Sequence, residues 1–98
     1  MNTDLLITII LFSGFNEVSL PKNAMLYDSD VNGYEVSLRF KAEQDNEIEY
    51  RQFYVSFNNV PTDYNEGILH LLRTFQFTDG TSSAMVYEVY PYESSKSN

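Results

Sequence analysis

Cysteine and tryptophan are both missing from this chain of 98 residues, and it has a single histidine, three prolines and four glycines. Without cysteine there is no disulfide, no thiolate metal site and no cysteine nucleophile. A reducing compartment suits that composition, and a cytoplasmic protein is expected, in the host cytoplasm if the source is viral. Basic residues are scarce, 6 against 14 acidic, giving a formal net charge of -8 and a pI of about 4.3. Such a surface repels nucleic acid and anionic membrane, so direct contact with either is not expected. A Gly-rich phosphate loop, a nucleophile elbow and a His-rich metal cluster are absent too. The longest apolar run, residues 5–12, is far below the roughly 20 residues a membrane span needs. Asp4 precedes it where a signal peptide would carry a cation, and no small-x-small cleavage pattern follows. It therefore reads as a buried element of the fold.

Aromatics are abundant, eight Tyr and seven Phe. They suit both a small β-rich core and a contact surface, because Tyr combines a large apolar area with a polar tip. A chain of this length forms one domain, burying roughly 60 to 65% of its unfolded surface. That domain is expected to span 1–93, with 94–98 as a disordered tail.

The segment from Asp28 to Tyr34 admits two readings. Asp28, Asp30, Asn32 and Gly33 reproduce the opening of a calcium-binding EF-hand loop, but Arg39 stands where that loop needs a bidentate Glu. As a hairpin, Asn32-Gly33 forms a type I′ turn pairing Val31 with Tyr34. The following pairs are then Ser29/Val36, Tyr27/Leu38 and Met25/Phe40 on the apolar face, with Asp30/Glu35, Asp28/Ser37 and Leu26/Arg39 on the other. The hairpin explains more residues and is preferred.

Around the hairpin, residues 5–12 read as a central strand covered on both faces, because β-branched residues concentrate at 7–10. Residues 13–16 read as a turn, and 17–20 as a short segment closed by Pro21. Tyr34, Val36, Leu38, Phe40 and Ala42 alternate with Glu35, Ser37, Arg39, Lys41 and Glu43 as in a half-buried strand. Residues 48–58 form the next strand, with Ala42 expected opposite Ile48 and Phe40 opposite Tyr50. Phe53, Val55 and Phe57 then fall on the outer parity, which points to a bulge or a covered face. Thr62 reads as the N-cap of a helix over 63–75, whose apolar stripe is Tyr64, Ile68, Leu71, Leu72 and Phe75. Its polar side carries Glu66 and His70, one imidazole and one carboxylate, a poor catalytic set. A turn at 78–81 leads to a last strand over 84–90. The expected class is α+β: an antiparallel sheet of four or five strands with one helix on one face.

The acidic residues remain as the functional signal, with Asp28, Asp30 and Glu35 at one sheet end and Glu43, Asp45, Glu47 and Glu49 at the other. Carboxylates two apart on a strand are about 6.6 to 6.8 Å apart, close to twice the axial phosphate repeat of a DNA strand. The expectation is a non-enzymatic, cofactor-free binding protein that presents these carboxylates to a basic, nucleic-acid-binding surface of another protein, with Tyr90 and Tyr92 as aromatic anchors. Its sharpest form is a small inhibitor of the kind phages and mobile elements encode against a host defence protein such as a CRISPR effector. The alternatives are an assembly subunit with an oligomer interface at Phe53, Val55 and Phe57, and a calcium-binding module.

Overall fold

The computed structural model describes residues 4–44, 47–57, 69–77 and 83–89. These form seven strands: β1 (Asp4–Leu11), β2 (Gly14–Pro21), β3 (Met25–Asn32), β4 (Glu35–Glu43), β5 (Ile48–Phe57), β6 (Leu69–Gln76) and β7 (Ser83–Val89). Sheet A has the order β1-β4-β3 and sheet B the order β2-β5-β7-β6, and every pairing is antiparallel. The expected α+β class is overturned: the described residues are all β, in two sheets, with no helix among them.

The sheets face each other across one core. Val36, Leu38 and Phe40 of β4 pack with Phe53 and Val55 of β5, Val86 of β7, and Leu11 and Leu20 from the ends of β1 and β2. The Phe40 and Phe53 rings meet across the gap at 6.1 Å between centroids. Each fully buried Leu, Val or Phe contributes about 1.5–3 kcal/mol relative to an exposed one. The alternation within β4 is as the sequence implies, with Val36, Leu38, Phe40 and Ala42 all buried, but Tyr34, expected on the same face, lies in the turn before it and is exposed. A second small cluster, Leu69, Tyr87 and Val89 with Tyr54 and Met85, lies on the far face of sheet B.

The chain crosses between sheets at short corners. Phe12 and Ser13 carry it from β1 to β2. There the Asn16 side chain accepts a hydrogen bond from the Phe12 N–H at 3.1 Å and donates to the carbonyls of Phe12 (2.8 Å) and Gly14 (3.1 Å). One amide thus satisfies three backbone groups that the corner removes from strand pairing. Lys22, Asn23 and Ala24 return the chain to sheet A, with Asn23 at φ 68°. Asn is among the few residues that adopt this conformation at low cost.

The helix expected over 63–75 does not form where the structure describes it. Leu69–Gln76 is strand β6 on the edge of sheet B, and 63–68 lie outside the described residues. A β-bulge between Leu71 and Arg73 explains the misleading spacing. Before it Leu69 joins the outer cluster, and after it Leu72 and Phe75 pack on the main core. A strand that switches faces at a bulge places apolar residues three and four apart, imitating helical periodicity.

β1 is a strand, as expected, but an edge strand rather than a central one. Ile7, Ile9 and Leu11 oppose Phe40, Leu38 and Val36 on the inner face, while Leu6, Thr8 and Ile10 point outward and are exposed. The expected pairing of Ala42 with Ile48 is also overturned, because β4 and β5 belong to different sheets and Ile48 opposes Pro21. This change of sheet reverses the faces of β5. Phe53 and Val55 are core residues with essentially no exposed surface, not an outer oligomer interface. The hairpin turn is moved by one residue, which moves the cross-strand partners of residues 28–31 by two. Asn32 opposes Glu35, Val31 opposes Val36, and the two-residue turn is Gly33-Tyr34. Gly33 has φ 65° while Tyr34 is not in the positive-φ region, the pattern of a type II′ turn with Gly first. Further down, a bulge at Tyr27 turns Leu26 into the core opposite Phe40 and leaves Met25 and Tyr27 exposed.

Candidate functional site

Directly paired residues on antiparallel strands share a face, so the register writes out the outer surface of sheet A. Its rows run Asp4–Glu43, then Leu6–Lys41–Met25, Thr8–Arg39–Asp28, and Ile10–Ser37–Asp30. Read by columns, the β3 edge is acidic, the central strand β4 carries both cations, and the β1 edge is apolar. This pattern changes the standing of the acidic residues singled out from the sequence. Arg39 donates to Asp28 at 3.1 Å and lies 3.8 Å from Asp30, so one guanidinium serves both carboxylates. Asp30 also accepts from the Val31 N–H at 2.9 Å. The cation held by this pseudo-calcium loop is therefore an arginine of the adjacent strand. Among the described residues no group of three or more His, Asp or Glu side chains is arranged to hold a metal. Asp30 opposes Ser37 rather than the expected Glu35, so these two carboxylates do not face each other across the strand pair.

The other end of the sandwich is different. Asp4 and Glu43, both exposed, stand directly opposite each other on β1 and β4. Like charges in that relation are destabilising. Next to them Lys22, Asn23 and Ala24 form the tip between β2 and β3, held by the Lys22 N–H donating to the Glu47 carbonyl at 2.6 Å and the Ala24 N–H to the Pro21 carbonyl at 3.1 Å. Asn23 separates two hollows. One, of about 390 Å³, is lined by Asp4, Lys41 and Glu43 among others. The second, of about 330 Å³, is lined by Glu49, Tyr50, Arg51 and Glu88. The Glu49 carboxylate accepts from the Asn23 N–H at 3.4 Å. The β2–β3 tip thus gathers Glu43, Glu47 and Glu49, which the sequence singled out, with Asp4, which it did not.

Arg51 and Glu88 form the floor of the second hollow. The guanidinium makes a two-point contact with the Glu88 carboxylate, Nε to Oε2 at 2.8 Å and Nη2 to Oε1 at 3.0 Å, and its Nη1 donates to the Ala24 carbonyl at 2.8 Å. It also lies over the rings of Phe40 and Phe53, at 5.2 and 5.6 Å. Glu88 is buried, so its charge is committed to Arg51 and adds nothing to the exposed acidic set. Sequence reading had no signal for this pair, because its members are 37 positions apart on strands whose pairing only the fold defines.

Of the remaining site residues, Glu35 is exposed at the far hairpin end, separated from Glu43 by the length of β4. Asp45, Tyr90 and Tyr92 lie outside the described residues. His70, expected on the polar side of a helix, stands opposite Glu88 on β6. Compared with protein-family models, with curated proteins and with solved structures, the chain finds no match. No helix among the described residues is long and apolar enough to cross a membrane.

Proposed function

We propose that the protein is a non-enzymatic binding module that docks the acidic end around the β2–β3 tip onto a basic surface of another protein. The observation that carries this reading is the direct opposition of Asp4 and Glu43, with Glu49 lining the neighbouring hollow and Glu47 joined to the tip through its carbonyl. Two carboxylates opposed across a strand pair repel in the free protein, and a cationic partner relieves that repulsion on binding. The hairpin end contributes less, because Arg39 already compensates Asp28 and Asp30. A nucleic-acid-binding surface is the natural counterpart, since it is built to receive closely spaced negative charge. The most specific form is an inhibitor occupying the nucleic-acid channel of a host defence enzyme.

The test compares capture of proteins from the native host by wild type and by Glu43→Lys/Glu47→Lys/Glu49→Lys, each at two salt concentrations. A captured partner should be lost from the triple variant and weakened for wild type at the higher salt, and its association rate should fall most. A partner that binds both proteins equally, with no salt dependence, sinks the proposal. Circular dichroism confirms that the triple variant remains folded.

A further inference from the structure

Among the described residues four strands end sheets: β1 and β3 in sheet A, β2 and β6 in sheet B. An unprotected edge is a template for another chain, and proteins block edges with charges, prolines and bulges. Three of the four are blocked in these ways. β3 carries Asp28 and Asp30 and is bulged between Leu26 and Asp28. β2 carries Glu17 and ends in Pro21. β6 carries His70 and Arg73 and is bulged between Leu71 and Arg73.

β1 has no proline and no bulge, and its one charge, Asp4, stands at its first residue. It pairs with β4 in unbroken register over its whole length, and no charged residue occurs from Leu5 to Asn16. Of its outward side chains beyond Asp4, Thr8 is an uncharged hydroxyl and Leu6 and Ile10 are apolar and open, at 65% and 42% exposure, with Phe12 beyond the strand end at 54%. A partner recognised through charge finds no charged group to contact along that stretch.

We infer that this edge pairs with β1 of a second copy of the chain, antiparallel and about a two-fold axis at Thr8. Charge selects the occupant. Molecules of net charge -8 repel, and two copies approach most cheaply where neither carries charge. The strand is also complementary to itself in this register. Thr8 meets Thr8, Ile7 meets Ile9, Leu6 meets Ile10 and Leu5 meets Leu11, so each pair joins apolar to apolar or hydroxyl to hydroxyl. Outer residues meet outer ones and inner residues inner ones, as the pleat requires. The two Asp4 residues then lie eight strand positions apart, about 27 Å at 3.4 Å per residue and well beyond the Debye length of about 8 Å. A parallel arrangement in equal register would set them side by side. The dimer is closed and isologous, joining sheet A of each copy into one sheet of order β3-β4-β1-β1-β4-β3. It leaves the acidic end around the β2–β3 tip outside the strand pairing, and the inference does not depend on the proposed function.

Sedimentation of the full chain over a range of concentrations tests it. Wild type should move from monomer to dimer, and added salt should not dissociate the dimer. Leu6→Lys/Ile10→Lys adds charge only at outward positions and should weaken dimerisation at least a hundredfold, while Asp28→Lys on the opposite edge should leave it unchanged. Because the chain has no cysteine, a nitroxide on Asp4→Cys reports the register, with an expected separation of about 27 Å between backbone positions in the dimer. A wild type that remains monomeric at every concentration overturns the inference. So does an undiminished dimer in the double lysine variant, a short separation between the labels, or open-ended assembly in place of a dimer.

Discussion

The Arg51–Glu88 pair shows how much one contact depends on its surroundings. Both groups are largely removed from water, and the carboxylate is held by a guanidinium that also meets the Ala24 carbonyl and two rings. Removing one member of such a pair strands the other, at a cost of about 3–5 kcal/mol, whereas replacing both with apolar residues is often far less damaging. Glu88→Ala is therefore expected to lower the unfolding free energy by about 3 kcal/mol. Arg51→Met/Glu88→Met should recover much of that loss. Urea denaturation of the single and double variants checks this, and a double variant as unstable as the sum of its singles would contradict it.

At the level of elements, the hairpin between β3 and β4 turns on which residues occupy its two-residue loop. With Gly33 and Tyr34 in the turn, only Gly33 needs positive φ, and Asn32 is an ordinary strand residue opposite Glu35. A Cβ at Gly33 would touch nothing within 4 Å, so a substitution there is opposed by backbone conformation alone. Gly33→Val should destabilise the domain by about 1–3 kcal/mol, while Asn32→Val should be neutral within about 0.5 kcal/mol. Equal losses in the two variants, read from thermal midpoints, would instead favour a turn centred on Asn32-Gly33.

For the whole molecule, the order of strands controls how the chain finds its fold. Only β3–β4 and β6–β7 join neighbours in sequence; β1–β4, β2–β5 and β5–β7 each close a longer loop. Loop-closure entropy must be met before those contacts form, so folding is expected on the millisecond-to-second scale typical of β-sandwiches. Stopped-flow refolding monitored by tyrosine fluorescence measures it directly, and complete refolding within microseconds would be inconsistent with this topology.

What the amino-acid order determined by itself was local. It specified strand β4 and its buried face, the last strand, the presence of a hairpin turn at Gly33, and a pronounced acidic excess. These follow from side-chain alternation, from the conformational freedom of glycine and from charge counting, none of which needs a distant neighbour. Tertiary structure decided the rest. Leu5, Leu6, Ile7 and Ile9 look alike in sequence, and only the placement of β1 beside β4 at a sheet edge distinguishes the inner from the exposed ones. Leu71, Leu72 and Phe75 belong to a helix-like stripe, yet pairing with β7 and one bulge place them in a strand. Phe53 and Val55 have outward parity if β5 pairs with β4, but β5 lies in the other sheet, where the same side chains are core. Asp28 and Asp30 were neutralised, and Asp4 was brought to Glu43, by cross-strand neighbours that sequence spacing does not reveal. Periodicity reports that a segment has apolar faces, and only the partner strands determine which of them is covered.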